Sequence, residues 1–122
     1  MTVRRLTLIL LLLAIACSSP ERKAQKARDE LSSWAGVGQM LSQEWSRGKV
    51  ARPYVKSTLD VAFESLKGLA DPLKNDEKAE AELGHVTQLF DGFSRAVEKE
   101  DRAAAASLST EFEAIRKSLQ KQ

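Results

Sequence analysis

The chain has 122 residues, of which 30% are charged, with 19 lysines and arginines against 17 aspartates and glutamates. Arg4 and Arg5 precede an apolar segment, and the sequence from residue 17 onward carries 17 residues of each sign and is formally neutral. This length is too short for two domains of ordinary size, and a neutral chain gives no electrostatic basis for binding nucleic acid.

The first predicted element is an export signal over residues 1–16. Its two arginines are followed by the apolar run Leu6–Ala16, whose eleven residues are fewer than the roughly 20 that a membrane-spanning helix needs. Ala16 comes directly before Cys17, which is the only cysteine in the chain. Because no intrachain disulfide can form, the fold must depend on packing.

Residues 14–17, Ala-Ile-Ala-Cys, resemble the lipobox of bacterial lipoproteins, in which a small residue precedes a cysteine that receives diacylglycerol and, after cleavage, an acyl chain. Alanine stands at the first of these positions, where leucine is usual. The resemblance implies lipidation of Cys17, with residues 17–20 as a linker. Ser18 after the cysteine implies sorting to the outer membrane, facing the periplasm. The alternative is a secreted protein with a free thiol, which is a liability in an oxidising compartment.

Residues 21–122 predict one all-α domain. Ser19-Pro20 is typical of a helix start, and the glycine within Arg47–Lys49 is typical of a helix end. Between them, apolar and small residues recur at steps of three and four. This stripe consists of Ala24, Ala27, Leu31, Trp34, Gly38, Leu41 and Trp45, widened by Val37 and Met40. Gly36 and Gly38 each cost about 1 kcal/mol in a helix interior, so a kink or a break there is the alternative to one continuous helix.

Three further helices follow the same rhythm. The second begins at Pro53 and ends at Asp71-Pro72, because the residue before a proline is disfavoured in the helical region. The third is capped by Asn75 or Asp76, and the fourth by Asp101. The very short connection between these last two favours a hairpin, with fusion into one long helix as the alternative. The expected fold is therefore an up-down-up-down antiparallel four-helix bundle.

Glu82 and His85 have the Glu-x-x-His spacing of di-iron carboxylate bundles. Such sites need the motif twice, whereas this chain has a single histidine. Leu83 and Val86 define the inward direction, so we expect Glu82 and His85 to flank the apolar stripe, with the imidazole half-exposed. The sequence therefore predicts no metal site.

The helical pattern, with its Ala-rich run Arg102–Ala106, resembles cytochrome b562-type bundles, which hold haem between a methionine and a histidine. The ligand positions of that family have no counterpart here, since residues 113–121 contain no histidine. In an antiparallel bundle Met40 and His85 lie roughly 10 Å and 21 Å from the end where the first helix stops, which places them at different heights. We therefore expect no haem and no other cofactor.

Trp34 and Trp45 are eleven residues, or three turns, apart on the first helix. A ligand pocket lined by Trp34, Trp45 and Tyr54 is the alternative to ordinary core packing of these rings. Four basic residues lie near the membrane end of the same helix, Arg22, Lys23, Lys26 and Arg28. They either touch anionic headgroups or, because Asp29 and Glu30 follow at once, form a solvated face. No Ser-His-Asp arrangement and no phosphate-binding glycine loop is evident, so we expect no enzyme.

These features predict a non-enzymatic cell-envelope lipoprotein, a membrane-tethered helical module for interaction or scaffolding. Its predicted partners are the membrane, through the lipid anchor at Cys17, and an envelope protein that the sequence does not identify. The alternative is a carrier of a small ligand or cofactor, of cytochrome b562-like type, with its site near Trp34, Trp45 and Tyr54.

Overall fold

The computed structural model describes residues 19–121, which form five α-helices and no strand. The helices are α1 (Pro20–Ser46), α2 (Arg52–Gly68), α3 (Ala70–Leu73), α4 (Glu77–Glu98) and α5 (Arg102–Gln120). The predicted all-α class is thus confirmed for this part of the chain. Within it, no helix combines the length and the apolar character needed to cross a bilayer. The predicted export signal and Cys17 lie outside the described residues.

Three of the four predicted helix starts are confirmed by their caps, whereas α2 begins at Arg52, one residue before the predicted Pro53, without a side-chain cap. The Ser19 hydroxyl accepts a hydrogen bond from the Arg22 amide, with Pro20 as the first helical residue. The third predicted helix, α4, is capped by Asp76, whose carboxylate accepts from the amide three residues on at 3.1 Å. Asp101 caps α5 in the same way at 3.0 Å. Each side chain satisfies an amide that the first turn leaves without a partner.

Two of the predicted helix ends are confirmed and one is wrong. Gly48 adopts a φ of 73° after α1, as its predicted role in a left-handed cap requires. Lys99–Asp101 separates α4 from α5, with Glu100 at a φ of 53°, so the two helices form a hairpin and are not fused. The predicted end of the second helix at Asp71-Pro72 is wrong, because α2 ends at Gly68.

Asp71 and Pro72 belong to α3, a single further turn after the break. Pro72 occupies the first turn of this short helix, where its missing N–H is not needed. Leu69 and Leu73, on either side of Asp71 and Pro72, are both buried, so the break between α2 and α3 places two leucines in the core. Proline disfavours helical backbone at the residue before it, and the burial of the two leucines outweighs that preference at Asp71.

The core is formed by one apolar stripe from each long helix. Its largest fully buried side chains are Phe90, Phe93, Phe112, Leu31, Leu73, Val55, Val86 and Val97. Most of the predicted stripe positions are buried, but Met40 is 59% exposed. Because Met40 lies five residues before the buried Trp45, it points about 140° away from that side chain around the axis of α1.

Helices α1 and α5 form the most extensive pairing in the described chain. The end of α1 lies beside the start of α5, where Arg102 donates a hydrogen bond to the Trp45 carbonyl. Further along, Ser109 donates its hydroxyl proton to the Gln39 carbonyl at 3.1 Å, and Arg116 donates to the Gln39 side-chain oxygen at 2.9 Å. The predicted alternative of a break at the glycines of α1 is wrong, since α1 runs continuously through them.

Candidate functional site

Trp45, one of the predicted pocket residues, is enclosed at the end of α1. It is 2% exposed and meets the Phe93 ring edge-on, with 6.3 Å between the ring centroids. The Arg102 guanidinium lies 4.8 Å from the centre of its ring while hydrogen bonding to its carbonyl. Such a cation over an indole face contributes about 0.5–2 kcal/mol. Arg102 thus both covers Trp45 and adds a second hydrogen bond to a carbonyl that also accepts from the Gly48 amide at 3.0 Å.

The other two predicted pocket residues have different surroundings. Trp34 is half-buried and meets Phe90 edge-on at 6.4 Å, whereas Tyr54 is 60% exposed at the start of α2. The two indoles therefore pack against different phenylalanines, and the phenol points into solvent. The ligand pocket of Trp34, Trp45 and Tyr54 stays a prediction.

The Glu-x-x-His pair does not sit as the sequence predicted. Glu82 is 9% exposed, and the prediction that it flanks the stripe is wrong. It lies three residues after the buried Ala79 and four before the buried Val86, which places it on their face of α4. His85 is exposed. Among residues 19–121, no group of three or more histidine, cysteine, aspartate or glutamate side chains has the arrangement of a metal site.

A cleft of about 250 Å³ opens between the first turns of α1 and the break between α2 and α3. We call it the α1–α2 cleft. It is lined by Lys23, Lys26, Ala27 and Glu30 from α1 and by Gly68, Leu69, Asp71 and Pro72 from the opposite side. Ala27 and Leu69 are buried and form its apolar floor. Sequence reasoning placed the two lysines on one helix but missed the cleft, because no local pattern brings residues 68–72 beside them.

An ion pair joins α1 to the start of α4. Arg28 donates to the Asp76 carboxylate at 2.9 Å, and both side chains are partly shielded from solvent. The hydrogen bond from the Ala79 backbone amide, followed by the bond and charge of Arg28, holds the pKa of Asp76 below its ordinary value. The same carboxylate thus caps a helix and ties it to its neighbour.

We expect the stability gained from ionised Asp76 to be lost in acid. A folded-state pKa below the unfolded one stabilises the protein above the ordinary aspartate value of about 3.9, and this contribution fades as the pH falls through the folded pKa. Asp76→Asn keeps a capping side chain but removes the charge. Its melting temperature should therefore lie below that of the wild type at neutral pH, with the gap closing as the pH falls below the ordinary aspartate pKa.

Thermal unfolding followed by circular dichroism across this pH range would measure the gap. Asp60→Asn is a matched control for net charge, because Asp60 neither caps a helix nor forms an ion pair within the described residues. A gap for Asp76→Asn that stays constant from neutral to acid pH would contradict the prediction.

Large apolar side chains are exposed at three positions in the described chain, Met40, Tyr54 and Val61. Tyr54 and Val61 are seven residues apart and therefore share one side of α2. That side faces away from Lys56 and Asp60, which line a small cavity against α4. The result is an outward apolar strip on α2, formed by Tyr54 and Val61.

Comparison with known proteins returned no matching family model, no similar curated protein and no similar solved structure. The functional conclusions below therefore depend on the residues and contacts of this chain.

Proposed function

We propose that this protein is a non-enzymatic cell-envelope lipoprotein, anchored by acyl chains on Cys17 after removal of residues 1–16. The observation that carries the proposal is the order of features at the start of the sequence. Two arginines, a short apolar run and a small residue lead directly to the single cysteine. Acyl chains contribute about 0.8 kcal/mol per buried methylene, so several chains on one cysteine make a stable anchor.

The start of α1 supports a short tether. Its capping residue Ser19 follows Cys17 by two positions, and the helix begins at Pro20. The folded domain therefore starts close to the modified residue, and Pro20, the last residue of the predicted linker 17–20, is already helical. The 27 residues of α1 extend about 40 Å from that point, which sets the reach of the domain from the membrane surface.

In this proposal the domain is an up-down-up-down four-helix bundle, with α3 as an added turn at the end of α2. Three neighbouring contacts support that order. Phe63 of α2 meets Phe90 of α4, Gly92 of α4 lies beside Leu108 of α5, and the end of α1 lies beside Arg102 at the start of α5. The first two contacts join helices that follow one another through short connections, and the third joins the first and last long helices, which are neighbours in such a bundle.

The function we assign to the bundle is interaction with, or scaffolding of, another envelope protein in the periplasm at the outer membrane. Confinement to a surface raises the effective concentration of the bundle toward a partner in the same layer. The apolar strip of Tyr54 and Val61 supports an interaction role, because aromatic and aliphatic side chains are the groups that protein interfaces bury.

Substitution of the anchoring residue tests this proposal. We expect the wild type to incorporate radiolabelled palmitate and to fractionate with membranes. Cys17→Ala should incorporate none and appear in the soluble periplasmic fraction, because Ala14 and Ala16 still suit ordinary signal peptidase. Ser18→Ala is the matched control, since it leaves the cysteine in place. Absence of label from the wild type, or label on the Cys17→Ala protein, would overturn the lipoprotein assignment.

A further inference from the structure

The α1–α2 cleft combines an apolar floor with a cationic rim. Ala27 and Leu69 are buried beneath it, and Pro72 closes one side. Lys23 and Lys26 are three residues apart, so both stand on the same side of α1 at the rim. Gly68 contributes no side chain, and a Cβ built there would meet no atom within 4 Å. The space beside Gly68 is therefore open to a ligand.

The two lysines are available for a ligand. Neither Lys23 nor Lys26 takes part in any of the ion pairs found among residues 19–121. Of the two acids that line the cleft, Asp71 is already paired with Lys74 at 3.3 Å. The other, Glu30, lies four residues beyond Lys26 on α1 and therefore about 6 Å further from the start of the helix. The positive charge is concentrated at the end of the cleft nearest the start of α1.

That end of the cleft is also the end nearest the proposed anchor. Lys23 follows Cys17 by six residues, which span at most about 20 Å even when fully extended. A lipid chain on Cys17 would thus hold the lysine rim within reach of the headgroup layer. The charge, the apolar floor and this position all suit a phospholipid of the same membrane.

We propose that the α1–α2 cleft binds the headgroup of an anionic phospholipid, with Lys23 and Lys26 on its phosphate. This inference rests on the proposed function, because the anchor at Cys17 brings the cleft to the lipid. Ammonium groups form short, charge-assisted hydrogen bonds to phosphate oxygens. The floor of Ala27 and Leu69 covers the apolar glycerol and the first methylenes. The lipid thereby fixes the orientation of the bundle on the membrane.

Lysine labelling on vesicles tests the proposal. The mature lipidated protein is reconstituted in vesicles of phosphatidylcholine alone or of phosphatidylcholine with phosphatidylglycerol, and acetylation by a neutral reagent is followed by mass spectrometry. We expect Lys23 and Lys26 to react about fivefold more slowly on the anionic vesicles, as the usual interaction of one lysine with an anionic surface implies. Lys49, after the far end of α1, is the internal control and should react equally on both.

A variant that fills the cleft separates specific binding from simple attraction to the surface. Gly68→Leu keeps both lysines but occupies the open space beside them, and its backbone is not in the left-handed region. We expect the protection of Lys23 and Lys26 to disappear in this variant. Equal labelling rates of the wild type on both vesicles would overturn the proposal. Protection that persists in Gly68→Leu would also overturn it, since the charge alone would then suffice.

A second pair of variants keeps the test valid if Gly68→Leu does not fold. Lys23→Gln with Lys26→Gln alters two exposed side chains, and Lys49→Gln with Lys99→Gln removes the same charge at the opposite end. Phosphatidylglycerol should raise the melting temperature of the wild type and of the second pair but not of the first. An equal rise in both pairs would overturn the proposal. Flotation with phosphatidylcholine vesicles alone tests the anchor separately, because it does not require the cleft.

Discussion

Phe90→Ala is expected to lower the free energy of unfolding by about 3–5 kcal/mol, the usual cost of removing a buried phenylalanine. Phe90 is fully buried and joins three other rings, which makes it the centre of the aromatic core. Its centroid lies 4.9 Å from that of Phe112 and 6.4 Å from those of Trp34 and Phe63, all in edge-on arrangements. Truncation would remove all three contacts and leave a cavity that helices α1, α2 and α5 all border.

Urea unfolding followed by circular dichroism would measure this loss. An unchanged m-value would show that the variant and the wild type expose the same amount of surface on unfolding. Phe90→Leu is the matched control, because it keeps most of the apolar volume and should cost clearly less. A loss below about 1 kcal/mol for Phe90→Ala would show that the neighbouring rings collapse into the space.

The same variant bears on the alternative of a small-ligand carrier. Trp34 reports on this region because its ring meets Phe90 directly. If the ring cluster is a filled core, a small apolar probe such as benzene should change tryptophan fluorescence in Phe90→Ala, where a dry apolar cavity exists, and not in the wild type. A saturable response in the wild type would instead favour the carrier.

Much of the fold was predictable because its determinants are local in sequence. Ser19, Asp76 and Asp101 each precede an apolar stripe and can cap an amide two or three residues on. The stripes themselves mark the buried side of each helix. The positions of helices and most of the core follow from these two signals alone.

Features that depend on a neighbouring helix were not predictable in the same way. Met40 continues the apolar pattern of α1, but none of the helices in residues 19–121 covers it, and it is exposed. Glu82 is polar yet lies on the buried side of α4. The α1–α2 cleft likewise depends on where Gly68 ends its helix relative to Lys23 and Lys26, about 40 residues earlier in the chain. Periodicity along one helix contains no information on such pairings.

Gly38 is the clearest example of a residue whose role depends on a neighbouring helix. From the sequence it is a weak point in α1, costing about 1 kcal/mol in helix propensity relative to alanine. In the structure a Cβ at this position would lie 2.4–2.7 Å from three ring atoms of Phe112 on α5. Glycine is therefore the residue that lets α5 approach α1 closely enough for Ser109 and Arg116 to reach Gln39.

We expect Gly38→Ala to destabilise the protein by about 1–3 kcal/mol despite the better helix propensity of alanine. The Phe112 ring cannot move aside easily, because it is fully buried and packs against Phe90 at 4.9 Å. Gly36→Ala is the matched control on the same helix. Its added Cβ would lie 3.4 Å from the flexible side chain of Arg116, so this variant should be neutral or more stable by up to about 1 kcal/mol. Urea unfolding of both variants measures the difference.

A double-mutant cycle would establish that the clash with Phe112 is the cause. Phe112→Leu alone should be destabilising, because it removes ring contacts in the core. In the Gly38→Ala background it should cost less, since the smaller side chain also relieves the contact with the new methyl group, and the two changes share one site. Strict additivity of the two substitutions would show that Gly38 acts through the helix backbone alone. Favourable coupling would show that the close approach of α1 and α5, the most extensive pairing in the described chain, requires a residue without a side chain at position 38.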